Sequence, residues 1–340
     1  METRTTIALT LLALAAGCSN DSTFRLGDDW STTAAGRYVV GTTTGLHLTE
    51  LVPNPDYEPS LIGGYSLCAE YDCLHLDDDD FRVTSSDPGV FEIEERGGWI
   101  GRARSVGEAR IEARRGGEVV ASVEVKVAVP ERTELSPSVL ERVAHGNLFR
   151  DDRAPIGPRI PHVAGGVLEL DVSHWVGDVC YRSSAPMVVE TALPVQMVLD
   201  WPPRSIRILD AEPGIEELVI EVAGHREIFE LESYAPTRID RMEMSHIWAL
   251  ADVPRADTWY VFSQFAEGET VWGLAPLAWH VNGRPVGEGG ILACAHRGDG
   301  PAEVEARLGE RIERFVIEEG CDDPAVVPWL DPLPEWFAPR

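Results

Sequence analysis

Four consecutive aspartates, Asp77, Asp78, Asp79 and Asp80, form the densest group of ligand-type side chains in the chain. Hard cations such as calcium take about six to eight oxygen ligands, and this run, with Asp87 as a supplement, supplies several. The glycine-spaced pattern of a calcium loop is missing, however, and adjacent carboxylates alternate in direction along an extended chain. A solvated acidic loop is therefore the favoured reading. No other cofactor is expected. Catalytic signatures are absent: there is no His-Glu-x-x-His, Gly-x-Ser-x-Gly, phosphate loop or Cys-x-x-Cys. The nine histidines occur singly, without the i, i+4 pairing of a zinc-binding helix. Ser173-His174 and Ser245-His246 place hydroxyl and imidazole on neighbouring strand residues, which point to opposite faces. No catalytic residue is assigned, and the expectation is a protein that is not an enzyme. A hydrolase would need a histidine meeting a Ser or Asp from another strand.

The amino terminus says where such chemistry would be deployed. The apolar run Ile7 to Ala16 spans only about 15 Å as helix, half of a bilayer core of roughly 30 Å, and reads as a cleaved export signal. Behind it, Leu14-Ala15-Ala16-Gly17-Cys18 resembles the lipobox of bacterial lipoproteins: Leu14, Ala16, Gly17 and Cys18 match, and Ala15 is a tolerated variant. The resemblance implies that residues 1–17 are a lipoprotein signal peptide and that Cys18 receives the lipid. An ordinary secretory signal cut near Cys18 is the alternative. Ser19 is compatible with sorting to the outer membrane, and residues 18–36, rich in Ser, Thr, Asp and Gly, read as a lipidated flexible tether.

An exported chain meets an oxidising compartment, where cysteines pair by default. The disulfide candidates are Cys68 with Cys73 and Cys294 with Cys321. Cys180, in the apolar run Val176 to Tyr181, reads as a buried, inert residue. The formal charge of −28 repels polyanions, so nucleic acid is not expected as a partner and anionic lipid surfaces are poor candidates. Cations and basic protein patches stay open.

After the tether, period-two alternation with Gly and Pro punctuation argues for a chain that is largely β. Runs such as Val83 to Ile93, Val119 to Val129, Val167 to Val172, Leu218 to Val222 and Arg311 to Ile317 carry the pattern. An internal repeat is visible. Ser85-Ser86-Asp87-Pro88 has a counterpart in Ser183-Ser184-Ala185-Pro186, and segments opening at Gly107, Gly214 and Gly300 meet a second glycine at Gly117, Gly224 and Gly309, as a repeated hairpin turn of positive φ requires. Phe81 to Val127, with Val90, Ile93, Gly107, Ala109, Ile111, Ala113, Gly116 and Val123 to Val127, resembles the bacterial Ig-like group 2 domain. The resemblance implies an all-β fold of tandem Ig-like antiparallel β-sandwiches. They would span 37–130, 131–235 and 236–322, followed by a Pro/Trp-rich tail, 323–340. From Gly45 to Ser85 the chain runs longer than from Gly166 to Ser183, which predicts an insertion of about 23 residues near 53–80 in the first unit.

Trp248, Trp259, Tyr260, Phe262, Phe265, Trp272 and Trp279 crowd the third unit. Most are assigned to core packing, with some left for a protein- or carbohydrate-binding face. In the tail, Pro324, Pro328, Pro332, Pro334 and Pro339 forbid helix or central strand, and packing back along the last sandwich is favoured for Trp329, Trp336 and Phe337. Together these readings predict a lipid-anchored cell-envelope module that binds, adheres or spaces. The alternatives are a calcium-stabilised module and an envelope hydrolase.

Overall fold

The computed structural model describes residues 24–28, 36–53, 71–75, 81–96, 98–138, 156–199, 204–209, 212–248, 258–295 and 300–327. These residues are nearly all strand, in the alternation that a one-sided core imposes. In Ala302–Leu308, for example, Ala302, Val304, Ala306 and Leu308 are buried while Glu303 and Arg307 are exposed.

The strands fall into three successive sets. The first is β1 (Phe24–Asp28), β2 (Arg37–Val39), β3 (Thr43–Pro53), β4 (Tyr71–His75), β5 (Phe81–Ser85), β6 (Phe91–Glu95), β7 (Trp99–Ala103), β8 (Gly107–Arg115) and β9 (Glu118–Ala128). The second is β10 (Arg132–Pro137), β11 (Arg159–Val163), β12 (Val167–Val176), β13 (Val179–Tyr181), β14 (Met187–Glu190), β15 (Val195–Leu199), β16 (Arg204–Leu209), β17 (Gly214–Val222) and β18 (His225–Tyr234). The third is β19 (Arg241–Trp248), β20 (Thr258–Ala266), β21 (Glu269–Val271), β22 (Leu277–Val281), β23 (Arg284–Gly289), β24 (Ile291–Ala295), β25 (Ala302–Leu308), β26 (Arg311–Ile317) and β27 (Asp322–Val327).

Each set makes two sheets. In the second, β10-β12-β16-β15 faces β11-β18-β17-β14, which is the A-B-E-D and C-F-G division of an immunoglobulin sandwich. A short strand, β11, is added parallel to the free edge of β18. Between the sheets lie Leu135, Ile160, Leu168, Leu170, Ile206, Ile208, Leu218, Ile220 and Leu231. The first set repeats the layout as β1-β3-β7-β6 and β2-β9-β8-β5, with β2 as the parallel addition. The third keeps β19-β20-β24 and β22-β25-β26 but carries β23 beyond β22, and its last strand, β27, takes the place beside β24 where a D strand would sit. The expected fold class, tandem antiparallel β-sandwiches, is therefore the observed one.

The chain divides into two compact units. One comprises Met1–Gly36, Thr44–Gly101 and Glu108–Val125, and the other Arg37–Thr43, Arg102–Gly107 and Lys126–Arg340. In the first unit Leu46, Phe81, Val83, Phe91, Trp99, Ile111, Ala113 and Val125 are buried. The second unit holds the second and third sandwiches together with β2 and the end of β9.

The repeated glycines serve the turns expected of them. Gly116-Gly117 and Ala223-Gly224 have positive φ at both positions and Gly309 at the first, each closing a two-residue hairpin. Two other expectations are corrected. Val83 to Ile93 is not one run, because Ser86 to Val90 turn the chain between β5 and β6, with Asp87 Oδ1 accepting from the Gly89 amide at 2.9 Å. The segments at Ser85 and Ser183 are likewise not equivalent: the first follows the C strand β5, whereas the second precedes the C strand β14. Aligning them overstated the insertion. In all three sets a short strand folds back on the B strand: β13 after residues 177–178, β21 after residues 267–268, and β4 after residues 54–70. The first set thus has fifteen residues more than the second at this hairpin, not 23.

Candidate functional site

The residues singled out for chemistry are dispersed. Cys18, Cys68 and Asp77 to Asp80 lie outside the described residues, and so does the pairing of Cys68 with Cys73. Cys294 and Cys321 are joined by a disulfide between β24 and the start of β27, with Cα atoms 4.7 Å apart. Cys180 is exposed, contrary to expectation. It is the middle residue of the short edge strand β13, and alternation turns it outward while Tyr181 turns in. Among the described residues, no group of three or more His, Cys, Asp or Glu is placed to hold a metal ion. Of the aromatics, Tyr260, Phe262 and Trp279 are core residues, with Phe262 and Trp279 ring centroids 5.7 Å apart. Phe265 lies beneath the Arg241 guanidinium at 4.1 Å.

Polar chemistry concentrates instead on the second sandwich. The outward side of the β10-β12-β16 sheet carries Ser136, Asp171 and Ser205 in one cross-strand row, and Ser138, Glu169 and Arg207 in the next. Five of these six are buried: Ser136, Ser138, Glu169, Ser205 and Arg207. The Arg207 guanidinium donates through Nε (3.1 Å) and Nη2 (2.9 Å) to Glu169 Oε2, and Ser205 Oγ donates to Asp171 Oδ1 at 2.6 Å. No local pattern signals this burial, because Glu169, Asp171 and Ser173 alternate with Leu168, Leu170 and Val172 as any solvent face would.

Ser173 and His174 point to opposite sides as expected. Ser173 Oγ accepts from Trp175 Nε1, while His174 Nδ1 lies 3.2 Å from Thr133 Oγ1. One histidine does meet a serine from another strand: His162 Nε2 of β11 is 3.1 Å from Ser233 Oγ of β18. The pair is sealed at 1% and 4% exposure. Burial pushes the His162 ring down to about 4, against a weaker opposing effect of the Ile160 backbone. A shallow cleft of about 410 Å³ lies on the third sandwich, lined in part by His280, Glu303, Glu305, Arg307 and Arg314. His280 is half-buried on β22. Arg307 and Arg314 hold the Glu305 carboxyl below its ordinary range, so these charges satisfy one another.

The geometry that recurs is that of the junctions inside the second unit. Strand β2 pairs in parallel with Lys126 to Ala128 on one edge and with Arg182 on the other. Val39 N–H donates to the Arg182 carbonyl at 2.8 Å, and Arg182 N–H donates to the Arg37 carbonyl at 3.0 Å. Ser184 Oγ is bonded to both the amide and the carbonyl of Thr43. Val39, Ala128, Tyr181, Ala185 and Val222 form the apolar cluster there. The same device returns at the next junction. Strand β11 pairs in parallel with β18 on one edge and with Trp272 on the other, where Trp272 N–H donates to Pro161 (2.8 Å) and Val163 N–H to Trp272 (3.1 Å). Val167 and Leu274 exchange bonds at 3.0 and 2.7 Å.

Arg182 and Trp272 hold the same position, directly after the short strands β13 and β21. Around the second junction, Glu232 bridges Arg159 and Arg238, which lower its carboxyl against the desolvation that raises it. Arg159 and Arg238 reach on to Glu269 and Glu267 at 3.4 Å each. Sequence reading missed both connector strands, which are short and, in β11, interrupted by Pro161. The available signal was an apolar pair running into a glycine just before the B strand: Val39-Val40-Gly41 and Val163-Ala164-Gly165.

No family model matches this chain, and no curated protein matches it. Among solved structures it is similar to domains 4–9 of the surface layer protein SbsC, at 11% identity and a TM-score of 0.31, covering 87% of this chain and 46% of that one. It thus spans about half the length of that surface layer structure. It is also similar to InvD of Yersinia pseudotuberculosis (10% identity, TM-score 0.22, 88% of this chain and 98% of that one). The N-terminal four Ig domains of Dscam1 match at 10% identity and a TM-score of 0.17, over 87% of this chain and 72% of theirs.

Proposed function

We propose that the chain is a non-catalytic cell-envelope module that spaces and presents binding loops, held to the outer membrane by a lipid on Cys18. The observation that carries this reading is the two-sided use of β11, an edge strand for the second sandwich that also bonds the third. A connector bonded on both edges resists bending at a junction, which a spacer needs and an isolated binding domain does not. The net charge of −28 supports solubility and disfavours anionic surfaces, so attachment rests on the lipid. Protein or carbohydrate is the ligand class that exposed loops of this kind would take. Expression in an export-competent bacterial host with an alkyne-labelled fatty acid tests the anchor. The native chain should take up label and sediment with membranes, while Cys18→Ser should lose both; membrane retention of the unlabelled variant would overturn the proposal.

A further inference from the structure

The outer side of the β14-β17-β18 sheet leaves aliphatic side chains in the open. Leu218, Ile220 and Phe229 enter the core of the second sandwich. Alternation therefore turns Val219 and Ile228 outward, where the register sets them directly opposite one another. Val188 of β14 pairs with Glu221 and Glu190 with Val219, so Val188 lies diagonally beside Val219. Val188 is 51% and Ile228 47% exposed, and the buried Val219 lies between them. The three make one apolar stripe across three strands. Glutamates border it: Glu217 and Glu230 stand opposite each other on one side, and Glu221 stands beside Arg226 on the other. Glu190 lies 4.0 Å from Arg226, whereas Glu217, Glu221 and Glu230 have no ion-pair partner among the described residues. The corresponding sheets of the other two sandwiches are neutralised from within, Glu112 by Arg110 and Arg114, and Glu305 by Arg307 and Arg314.

We propose that this stripe is a docking surface for a basic protein segment that presents aliphatic side chains flanked by arginine or lysine. The proposal rests on the reading of the chain as a binding module and names the chemistry of the partner. Charge complementarity selects the occupant. Like charges directly opposite on neighbouring strands are destabilising, so the free face carries a repulsion between Glu217 and Glu230 that cations laid over them remove. A second copy of this chain, at a net charge of −28, brings more negative charge to the same place. Val188 and Ile228 supply the dry centre of such an interface and the glutamates its polar rim, the arrangement by which protein surfaces commonly join.

Titration calorimetry on the whole chain carrying Cys18→Ser, which needs no detergent, tests the proposal. The probe is a synthetic amphipathic helix of leucine and arginine, and its companion keeps the arginines but has serine for leucine. At about 0.15 M salt the screening length is about 8 Å, which suppresses attraction to the overall charge. The first peptide should bind one to one, and the second about tenfold more weakly. Ile228→Ser, and Glu217→Gln together with Glu230→Gln, should each weaken the first peptide about tenfold, while Glu303→Gln on the third sandwich should leave it unchanged. The double glutamine variant should also melt higher than its parent in the absence of peptide, since the repulsion is gone, so its weaker binding does not reflect a damaged fold. Absence of binding, equal binding of the two peptides, or equal binding by all variants overturns the proposal. Fatty-acid labelling at Cys18 is read separately, so the anchor stands or falls without reference to this surface.

Discussion

Arg207 and Glu169 show why a residue's type and spacing do not by themselves fix its role. Each occupies an outward position on its strand, yet their side chains are 3% and 8% exposed. Breaking such a pair leaves an uncompensated charge away from water, whereas replacing both members with apolar groups does not. Arg207→Met should therefore cost about 3–5 kcal/mol in a urea titration, and Glu169→Leu added to it should restore most of the loss. A double variant as unstable as the single would show that the pair is not buried as a unit. His162 makes a second case. Its folded pKa of about 4 lies below the ordinary 6.5, so the unfolded chain binds a proton across that interval which the native chain refuses. Its contribution is complete above pH 6.5 and is lost as pH falls toward 4, about 3 kcal/mol in all. His162→Leu should flatten the fall in unfolding midpoint between neutral pH and about pH 4.5; parallel curves for variant and wild type would refute the assignment. The burial of Arg207 and Glu169 was not legible in the sequence, because burial on the outward side of a sheet depends on what lies over it.

At the level of elements, local chemistry was the more readable. The F–G hairpins announced themselves through their glycines because positive φ is a property of the turn itself. The connector β11 did not, because it is defined by two partners, one of them in another sandwich. Gly166 marks the tightest point of the second junction. A Cβ there would lie 2.6 Å from the Leu274 carbonyl oxygen and 2.7 Å from Val163 Cγ1. Gly166→Ala should force these backbones apart at a cost of about 1–3 kcal/mol. In calorimetry, one shared transition of the second and third sandwiches should become two, a loss of cooperativity that multidomain chains permit. An unchanged single transition at the same temperature would mean that β11 does not couple them. The pairing of Ser85 with Ser183 misled for the opposite reason: short polar turn sequences recur wherever a strand must reverse, and these two reverse different strands.

For the whole molecule, charge is the dominant quantity. A net −28 on 340 residues repels itself, and screening shortens the reach of that repulsion from about 30 Å at 0.01 M salt to about 10 Å at 0.1 M. The melting temperature should rise with sodium chloride over this range, and a flat or falling curve would remove self-repulsion as a destabilising force. Calcium at matched ionic strength separates the two readings of the acidic run. An increment beyond that of sodium would favour a cation site at Asp77 to Asp80, and none would favour a solvated loop. The sequence by itself determined the fold class and the positions of the hairpin turns. These follow from local periodicity and backbone permissiveness, which a few neighbouring residues set among themselves. Tertiary structure alone decided which outward faces are covered, which short strands bridge two sandwiches and which polar side chains are buried. Each of those depends on a contact between residues far apart in sequence, and no local pattern records the partner.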